Sequence, residues 1–176
     1  MHSSFKSFGM GLLLSVALVY LILVAQFKSF LDPFIILFAI PPGLMGVLLM
    51  LLISGTTLNI MSLMGLVMMV GIVVSNSILI VDFSRSLWQQ GTPLREAVAV
   101  ASRIRLRPVL MTSLATIIGL IPMALKLGTG AEAYAPLARA IIGGLLVSVV
   151  MTVYLVPAAY LWFHRKEDRP AAEMLA

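Results

Sequence analysis

The stretch PFIILFAIPPGLMGVLLMLLISGTTLNIMSLMGLVMMVGIVVSNSILIV, residues 33–81, is 49 residues long and contains no charged side chain. An α-helix needs about 20 apolar residues to cross the roughly 30 Å hydrocarbon core of a bilayer. The stretch is therefore too long for one span, and it divides at the turn-rich residues 53–59, ISGTTLN. It predicts two membrane-spanning helices, because only a helix satisfies its own backbone groups in lipid.

Three more charge-free runs lie on either side of this stretch, at residues 7–27, 108–125 and 140–163. Only 11% of the 176 residues are charged and 61% are hydrophobic, whereas soluble domains are about a quarter charged. The composition excludes a water-soluble fold. We predict an all-α integral membrane protein with one membrane domain, residues 1–169, and a short tail, residues 170–176. Its five transmembrane helices are expected near residues 8–26, 34–53, 60–83, 108–126 and 140–163.

The connection between the third and fourth spans, residues 84–107, carries most of the arginines. Thr92 as N-cap and Pro93 as the first helical residue indicate a helix start. An apolar stripe follows at Leu94, Val98, Ala101 and Ile104. This pattern predicts a cytoplasmic, interfacial amphipathic helix on the inner leaflet.

The cations are distributed unequally between the two sides of the membrane that five spans define. One side receives nine, namely Lys28, Arg85, Arg95, Arg103, Arg105, Arg107, Arg165, Lys166 and Arg169. The other side receives three, namely Lys6, Lys126 and Arg139. The positive-inside rule then predicts a plasma-membrane protein with an outward N-terminus and a cytoplasmic C-terminus. Anionic lipid headgroups, rather than nucleic acid, are the expected partners of these cations.

Several kinds of reactive site are excluded by residue type. The chain has no cysteine, and its two histidines, His2 and His164, are at opposite ends of the sequence. We therefore expect no metal site and no cofactor. The chain also has no phosphate-binding loop, no paired carboxylates and no Ser/His/Asp arrangement, so we expect no enzyme activity.

Polar side chains interrupt the third span at Ser75 and Asn76, and Asp82 follows near its cytoplasmic boundary. A serine hydroxyl can bond to its own helix. An asparagine amide has two donors and an acceptor, which one helix does not satisfy well. Asn76 is therefore a candidate either for interhelical packing or for an ion or proton path. Ser75 and Asp82 share a helical face, which makes Asp82 a weaker candidate for proton entry.

Two other features of the spans suggest function. Thr112, Ser113 and Thr116 cluster on the fourth span, and Arg105 precedes Thr112 by seven residues. An arginine on the same stripe as these hydroxyls could orient water or a carboxylate. The alternative is that Arg105 only anchors the helix at the membrane boundary and that the hydroxyls bond to their own helix. Pro41 and Pro42 lie in the middle of the second span and predict a kink, with packing or a hinge as its role.

The run VAQFKSFLDPFIILFAIPPG, the stretch LMGLVMMVGIVVSNSILIVDF and the run RIRLRPVLMTSLATIIGLIPMAL, followed by a Gly-Thr-Gly loop and APLARAIIGGLLVS, resemble one known family. They look like the C-terminal membrane half of resistance–nodulation–division (RND) efflux pumps, also called acriflavine-resistance-type proteins. The resemblance covers about residues 5–165. It implies the eighth to twelfth transmembrane helices of a trimeric, proton-driven antiporter with twelve helices.

The resemblance also implies roles for individual residues. In the family, acids on the fourth helix pair with a lysine on the tenth helix that is followed by asparagine; here Ser75 and Asn76 occupy those two positions. The arginine and threonine of the eleventh helix match Arg105 and Thr112. Asn76 thus keeps the pattern of the relay, whereas Ser75 departs from it, because serine cannot neutralise a buried carboxylate.

Two functions are compatible with these observations. The first is the C-terminal membrane portion of a proton-driven permease in a Gram-negative inner membrane, which exports drugs, amphiphiles or metals and is inactive alone. Its expected partners are lipids, the remaining half of the permease, and a periplasmic adaptor and outer-membrane channel around a homotrimer. The alternative is a stand-alone membrane scaffold or assembly protein derived from such a pump.

Overall fold

The computed structural model describes residues 2–165, so the predicted tail at 170–176 lies outside the described residues. Within this part of the chain all regular structure is helical, and five segments are long and apolar enough to cross a membrane. An all-α membrane protein is thereby confirmed. The helices are α1 His2–Phe27, α2 Leu31–Leu37, α3 Ile40–Ile53, α4 Ile60–Gln89, α5 Leu94–Ala124 and α6 Ala131–His164.

The second membrane segment is divided into α2 and α3 immediately before the Pro41–Pro42 pair. Proline has no backbone N–H, so two carbonyls of the preceding turn lose their helical donors. The chain is interrupted at Phe38 and Ala39, and each N–H instead bonds to a nearby carbonyl of α2 at 3.1 Å. The prolines then occupy the first turn of α3, where a missing N–H costs least.

The turn between the second and third segments ends in a reciprocal cap. The Asn59 side chain accepts a hydrogen bond of 2.9 Å from the Ser62 N–H, and Ser62 Oγ accepts one of 2.9 Å from the Asn59 N–H. This capping box satisfies two N–H groups that a helix start would otherwise leave unpaired. It explains why α4 begins at Ile60, directly after the turn-rich residues.

The connection at residues 84–107 differs from the predicted separate helix. α4 extends to Gln89, and α5 runs without interruption from Leu94 through Pro108 to Ala124. The N-cap is Pro93 rather than Thr92, and no side chain caps this end. Pro108 lies inside α5, where its missing N–H leaves the Ile104 carbonyl without its helical donor.

The apolar stripe of the N-terminal part of α5 contacts protein. Leu94, Val98 and Ala101 are each at most 2% exposed, whereas Ile104 is 51% exposed. Leu94 and Val98 belong to the same hydrophobic core as the C-terminal part of α6. The first three members of this stripe therefore pack against protein, which removes them from water. The position of this segment at the inner leaflet stays a prediction.

α6 is the central helix, and it packs against α3, α4 and α5. Its crossing with α3 depends on two glycines. A Cβ atom at Gly46 would lie 2.6 Å from the Gly143 carbonyl oxygen, so the two backbones are in direct contact there. α1 is peripheral: apart from its C-terminal end, its apolar side chains are mostly exposed and would face lipid.

Candidate functional site

The polar side chains of α4 lie on two different faces. Ser75 and Asp82 are exposed, and they share one face of the helix, as their spacing predicts. Asn76 and Ser77 are buried on the opposite side, toward the other helices. The hydroxyl of Ser77 donates a hydrogen bond of 2.8 Å to the Val73 carbonyl of its own helix. Ser77 is thus satisfied locally, whereas Ser75 and Asp82 face outward.

Asn76 is 8% exposed, and its side-chain amide makes no hydrogen bond to any group within residues 2–165. The Asn76 amide thus makes no hydrogen bond to another helix, although a role limited to interhelical packing would require one. The amide remains able to bind water or a group from outside this bundle.

Arg105 lies against α4. Its guanidinium carbon is 4.9 Å from the centre of the Phe83 ring, which is a cation–π distance. Its Nε is buried and has no hydrogen-bond partner within the described part of the chain. The structure thus leaves a donor of Arg105 unused beside the helix that carries Asn76.

The hydroxyls of the fourth membrane segment are bonded mainly to their own helix. Thr112 is exposed, and its Oγ1 lies 3.1 Å from both the Pro108 and the Val109 carbonyl oxygens. Thr116 donates a bond of 2.8 Å to the Thr112 carbonyl. Ser113 is buried, and its Oγ is unpartnered within residues 2–165. Thr112 and Arg105 form no hydrogen bond with each other in this part of the chain, so the two candidates share only a helix.

A buried ionic cluster lies at the end of the bundle where Lys28, Arg85 and Arg165 are found, called here the cation-rich end. Asp32, in the first turn of α2, is 2% exposed, and its Oδ2 lies 3.0 Å from Nη1 of Arg85 on α4. The same Nη1 donates to the carbonyl oxygen of Phe27 at the end of α1. One guanidinium nitrogen thus joins three helices, because Nη1 has two N–H donors.

His164 completes the cluster from the end of α6. Its Nε2 is 3.3 Å from Asp32 Oδ1, and its Nδ1 is 3.2 Å from the Tyr160 carbonyl oxygen. The imidazole stacks on the Tyr160 ring at 4.3 Å between centroids and meets the edge of Trp88 at 5.6 Å. The cluster therefore fixes the ends of α2, α4 and α6 relative to one another.

This cluster was not predicted, because each of its members is unremarkable in the sequence. Arg85 counted only toward topology, and His164 was considered only as a possible metal ligand. The sequence feature that indicates such a cluster is the charge distribution. The turn at 27–33, the connection at 84–107 and the C-terminal end were all assigned to one side of the membrane, so an acid at Asp32 had cations within reach.

The opposite end of the bundle is joined by Arg139 of α6. Its Nε donates a hydrogen bond of 3.1 Å to the Ala124 carbonyl oxygen at the end of α5. Its Nη1 donates one of 2.7 Å to Thr56 Oγ1 in the turn before α4. Thr56 Oγ1 also lies 2.9 Å from Ser54 Oγ, so the guanidinium ties two turns to α6. Both ends of α6 are therefore attached to neighbouring elements by polar side chains, His164 at one end and Arg139 at the other.

Comparison with known proteins agrees with this arrangement of helices. The chain is 38% identical over 160 residues to multidrug resistance protein MdtC of Erwinia amylovora, a match that covers 90% of this chain and 16% of MdtC. A crystal structure of a heavy metal efflux pump superposes with a TM-score of 0.78 at 33% identity, covering 89% of this chain and 16% of the pump. The chain thus spans about one sixth of the length of these two relatives.

The sequence profile described as the AcrB/AcrD/AcrF family matches residues 2–164, which is almost the entire chain. The match includes all six helices, with His164, Arg139 and the polar faces of α4. The resemblance inferred from the sequence motifs is confirmed. The chain belongs to the AcrB/AcrD/AcrF family of RND efflux permeases.

Proposed function

We propose that the chain forms the C-terminal membrane portion of a proton-driven antiporter that exports drugs, amphiphiles or metal ions. The observation that carries this proposal is the outward polar face of α4, with Ser75 and Asp82 exposed in an otherwise apolar helix of an efflux permease. Polar groups on a lipid-facing surface are costly, whereas they are useful on a surface that another part of the protein covers. The names of the two relatives, a multidrug resistance protein and a heavy metal efflux pump, support the breadth of the proposed substrates.

Within this proposal, Asn76 and Arg105 belong to the proton relay. The Asn76 side chain forms no hydrogen bond within residues 2–165. The Nε of Arg105, on the adjacent helix, is buried and has no hydrogen-bond partner there. We expect the Asn76 amide and the partly exposed guanidinium of Arg105 to bind acids or water that the other half of the permease supplies. Thr112 is a relay candidate on α5 whose hydroxyl now bonds to its own helix. Its rotation away from that carbonyl would free the donor.

Ser75 has a different role from the lysine that the family resemblance implies. Its side chain is exposed and uncharged, so it cannot stabilise ionised acids across the interface. Without a nearby cation, an acid packed against this face would favour its protonated form. We infer that coupling in this permease relies more on Arg105 than on the α4 position.

The proposed assembly places the chain in a bacterial inner membrane, with its N-terminus periplasmic and its C-terminus cytoplasmic. The remaining half of the permease would cover the outward face of α4, and a homotrimer would engage a periplasmic adaptor and an outer-membrane channel. The energy source is the proton gradient, with no cofactor. The chain is inactive alone, because alternating access in transporters requires both repeats around the ion site.

The test is Asn76→Ala in the complete permease that carries this chain, produced in a pump-deficient bacterium. We expect increased accumulation of an exported dye at a near-normal protein level. Ser77→Ala is the matched control, because that buried hydroxyl bonds only to its own helix. Unchanged accumulation in Asn76→Ala would assign the amide to packing and contradict its relay role.

A further inference from the structure

The contact surface of α4 and α6 contains a buried hydroxyl that the proposed relay does not use, that of Thr152. Thr152 is 2% exposed, and its hydroxyl forms no hydrogen bond within residues 2–165. Its neighbour on α6, Ser148, donates a hydrogen bond of 3.3 Å to the Leu145 carbonyl. On α4, the buried hydroxyls of Ser77 and Ser84 donate to carbonyls of their own helix at 2.8 and 2.7 Å. Thr152 differs from these three serines, because its own helix does not satisfy it.

Two side-chain contacts define the register of α4 and α6. Near the start of the contact, a Cβ atom at Gly144 would lie 2.4 Å from Met69 Cγ, so Met69 lies directly against α6. At the cation-rich end, the Trp88 and His164 rings are 5.6 Å apart between centroids. The two pairs occur in the same order along both helices and have nearly the same separation in sequence. The helices therefore run in the same direction, with one register along their contact.

This register places Asn76 of α4 opposite Thr152 of α6. The separation in sequence that both contact pairs share leads from Asn76 to Thr152. Asn76 follows Met69 by seven residues, which is two helical turns, so it lies on the same side of α4. Residues at every fourth position of a helix form the ridge that packs into the groove of a neighbour. Thr152 belongs to such a ridge of buried residues on α6, namely Gly144, Ser148, Thr152, Val156, Tyr160 and His164.

The two side chains have complementary hydrogen-bonding groups, yet no direct hydrogen bond joins them in the described part of the chain. A hydroxyl has one donor and two acceptor lone pairs, and an amide has two donors and an acceptor oxygen. Because Thr152 is 2% exposed, a side chain of the remaining half of the permease does not reach its hydroxyl without displacing the residues around it. A water molecule is small enough, and buried waters typically bond to polar groups that the protein leaves unsatisfied.

We propose that Asn76 and Thr152 bind a water molecule between α4 and α6, and that this water positions the Asn76 amide. The Thr152 hydroxyl donates to the water, and the water donates to the amide oxygen of Asn76. The amide N–H₂ group then has a fixed direction and can donate to an acid of the remaining half. Thr152 is thus a positioning residue that acts through Asn76. This positioning role rests on the relay function proposed above, whereas the water site does not.

The water site is tested in the complete permease that carries this chain, by electron cryomicroscopy at a resolution that shows ordered water. We expect a water within hydrogen-bond distance of both Thr152 Oγ1 and the Asn76 amide. Thr152→Val keeps the shape of the side chain without its hydroxyl, so this water should be lost. A direct bond between the two side chains, the absence of a water between them, or a water that persists in Thr152→Val would overturn the site.

The positioning role is tested by dye efflux from proteoliposomes that contain the same permease, driven by an imposed proton gradient. We expect Thr152→Val to lower the maximal rate about three- to fivefold, the effect of one hydrogen bond, with an unchanged half-saturating dye concentration. Thr152→Ser retains the hydroxyl and should keep the original rate. An unchanged rate in Thr152→Val, or an equal loss in Thr152→Ser, would overturn the positioning role.

Ser148→Ala is the matched control, because Ser148 lies one turn earlier on the same buried ridge and its hydroxyl bonds to its own helix. This variant should transport at the original rate. An equal loss in Ser148→Ala would assign the effect of Thr152→Val to packing of α6 and contradict a specific role of the Thr152 hydroxyl.

The double variant Asn76→Ala/Thr152→Val separates action through Asn76 from an independent effect. If Thr152 acts through Asn76, the double variant should be no slower than Asn76→Ala alone. Losses that add would overturn the positioning role. A loss in Asn76→Ala without a loss in Thr152→Val would overturn this inference and leave the relay intact. An unchanged rate in Asn76→Ala would refute the relay together with the positioning role, and microscopy would still decide whether the water site exists.

Discussion

The carboxylate of Asp32 lies 3.0 Å from Nη1 of Arg85 and joins the start of α2 to the end of α4. The two residues are separated by 53 positions in the sequence and by an entire membrane-spanning hairpin. Because His164 lies 3.3 Å from the other carboxylate oxygen, Asp32 is a common partner for groups on two helices. A carboxylate buried to this degree is stable only when such partners surround it.

We expect Asp32→Asn to lower the stability of the bundle. The amide keeps the shape of the side chain but removes the negative charge that faces Arg85. Its N–H₂ group would also face a hydrogen-bond donor, either Arg85 Nη1 or His164 Nε2. Removing one partner of a buried pair costs up to about 5 kcal/mol, and we expect about 1–3 kcal/mol here because Arg85 is partly exposed. Thermal unfolding in detergent measures the change.

Glu132→Gln is the control for that measurement, because Glu132 is exposed in the first turn of α6. Its loss affects only the interaction with the helix dipole, about 0.3–1 kcal/mol. An equal decrease in melting temperature for both variants would mean that the Asp32 pair does not stabilise the fold.

The crossing of α3 and α6 predicts a severe effect of a single methyl group. In Gly46→Ala the new Cβ would lie 2.6 Å from the Gly143 carbonyl oxygen and 2.7 Å from Val147 Cβ. Because the nearest atom belongs to the backbone, the helices must separate, and we expect a loss of about 1–3 kcal/mol. The readout is the melting temperature and the yield of folded protein in detergent.

Gly119→Ala provides the comparison, since nothing lies within 4 Å of a Cβ at Gly119 in α5. Alanine favours a helix over glycine by up to about 1 kcal/mol, so this variant should be neutral or more stable. A similar loss of stability in both variants would contradict the assignment of the Gly46→Ala effect to contact at the crossing, since helix propensity favours alanine at both positions.

Much of the fold followed from the distribution of charge along the chain. The charge-free stretch at residues 33–81 and its division before Asn59 gave two spans correctly, because helix formation in lipid depends mainly on apolar length. The connection at 84–107 was harder to predict. Its apolar stripe fits both a lipid surface and a protein core, and only the tertiary contacts of Leu94 and Val98 distinguish them.

The candidate site was predictable to a smaller extent. Patterns within one helix placed Ser75 and Asp82 on a shared face, since helical periodicity is a local property. The Asp32 cluster and the Arg139 bonds connect residues far apart in sequence, which no local pattern specifies. The motif resemblance identified the family but gave no information on these two ends of α6.

A third prediction concerns Arg139, whose two hydrogen bonds leave from different nitrogen atoms. In Arg139→Lys a single ammonium replaces the fork, so it cannot maintain both the Ala124 carbonyl and the Thr56 hydroxyl contacts. We expect a loss of about 1 kcal/mol and faster proteolysis within residues 125–130, the turn that Arg139 holds. Limited proteolysis in detergent, followed by mass spectrometry of the fragments, measures this. Arg103→Lys is the control, because Arg103 is exposed and forms no hydrogen bond or ion pair within residues 2–165; equal cleavage rates would contradict a role for the Arg139 bonds.

The last prediction tests whether the outward face of α4 requires a partner. In Ser75→Lys an ammonium would project from the middle of an apolar helix, which costs about 2.5–3.5 kcal/mol for membrane insertion. We expect the variant to reduce the membrane level of the chain produced alone. Co-production with the remaining half of the permease should restore that level, because acids on the covering surface would pair with the ammonium.

Ser86→Lys serves as the comparison, because Ser86 is exposed on the same helix at the cation-rich end, where a lysine side chain reaches water. Quantitative immunoblots of membrane fractions report all four combinations of variant and partner. Restoration of Ser75→Lys by the partner, with Ser86→Lys unaffected throughout, would show that the face carrying Ser75 is an internal surface of the complete permease. An equal loss of Ser75→Lys with and without the partner would mean that this face stays against lipid, since no acid would then be available to neutralise the lysine.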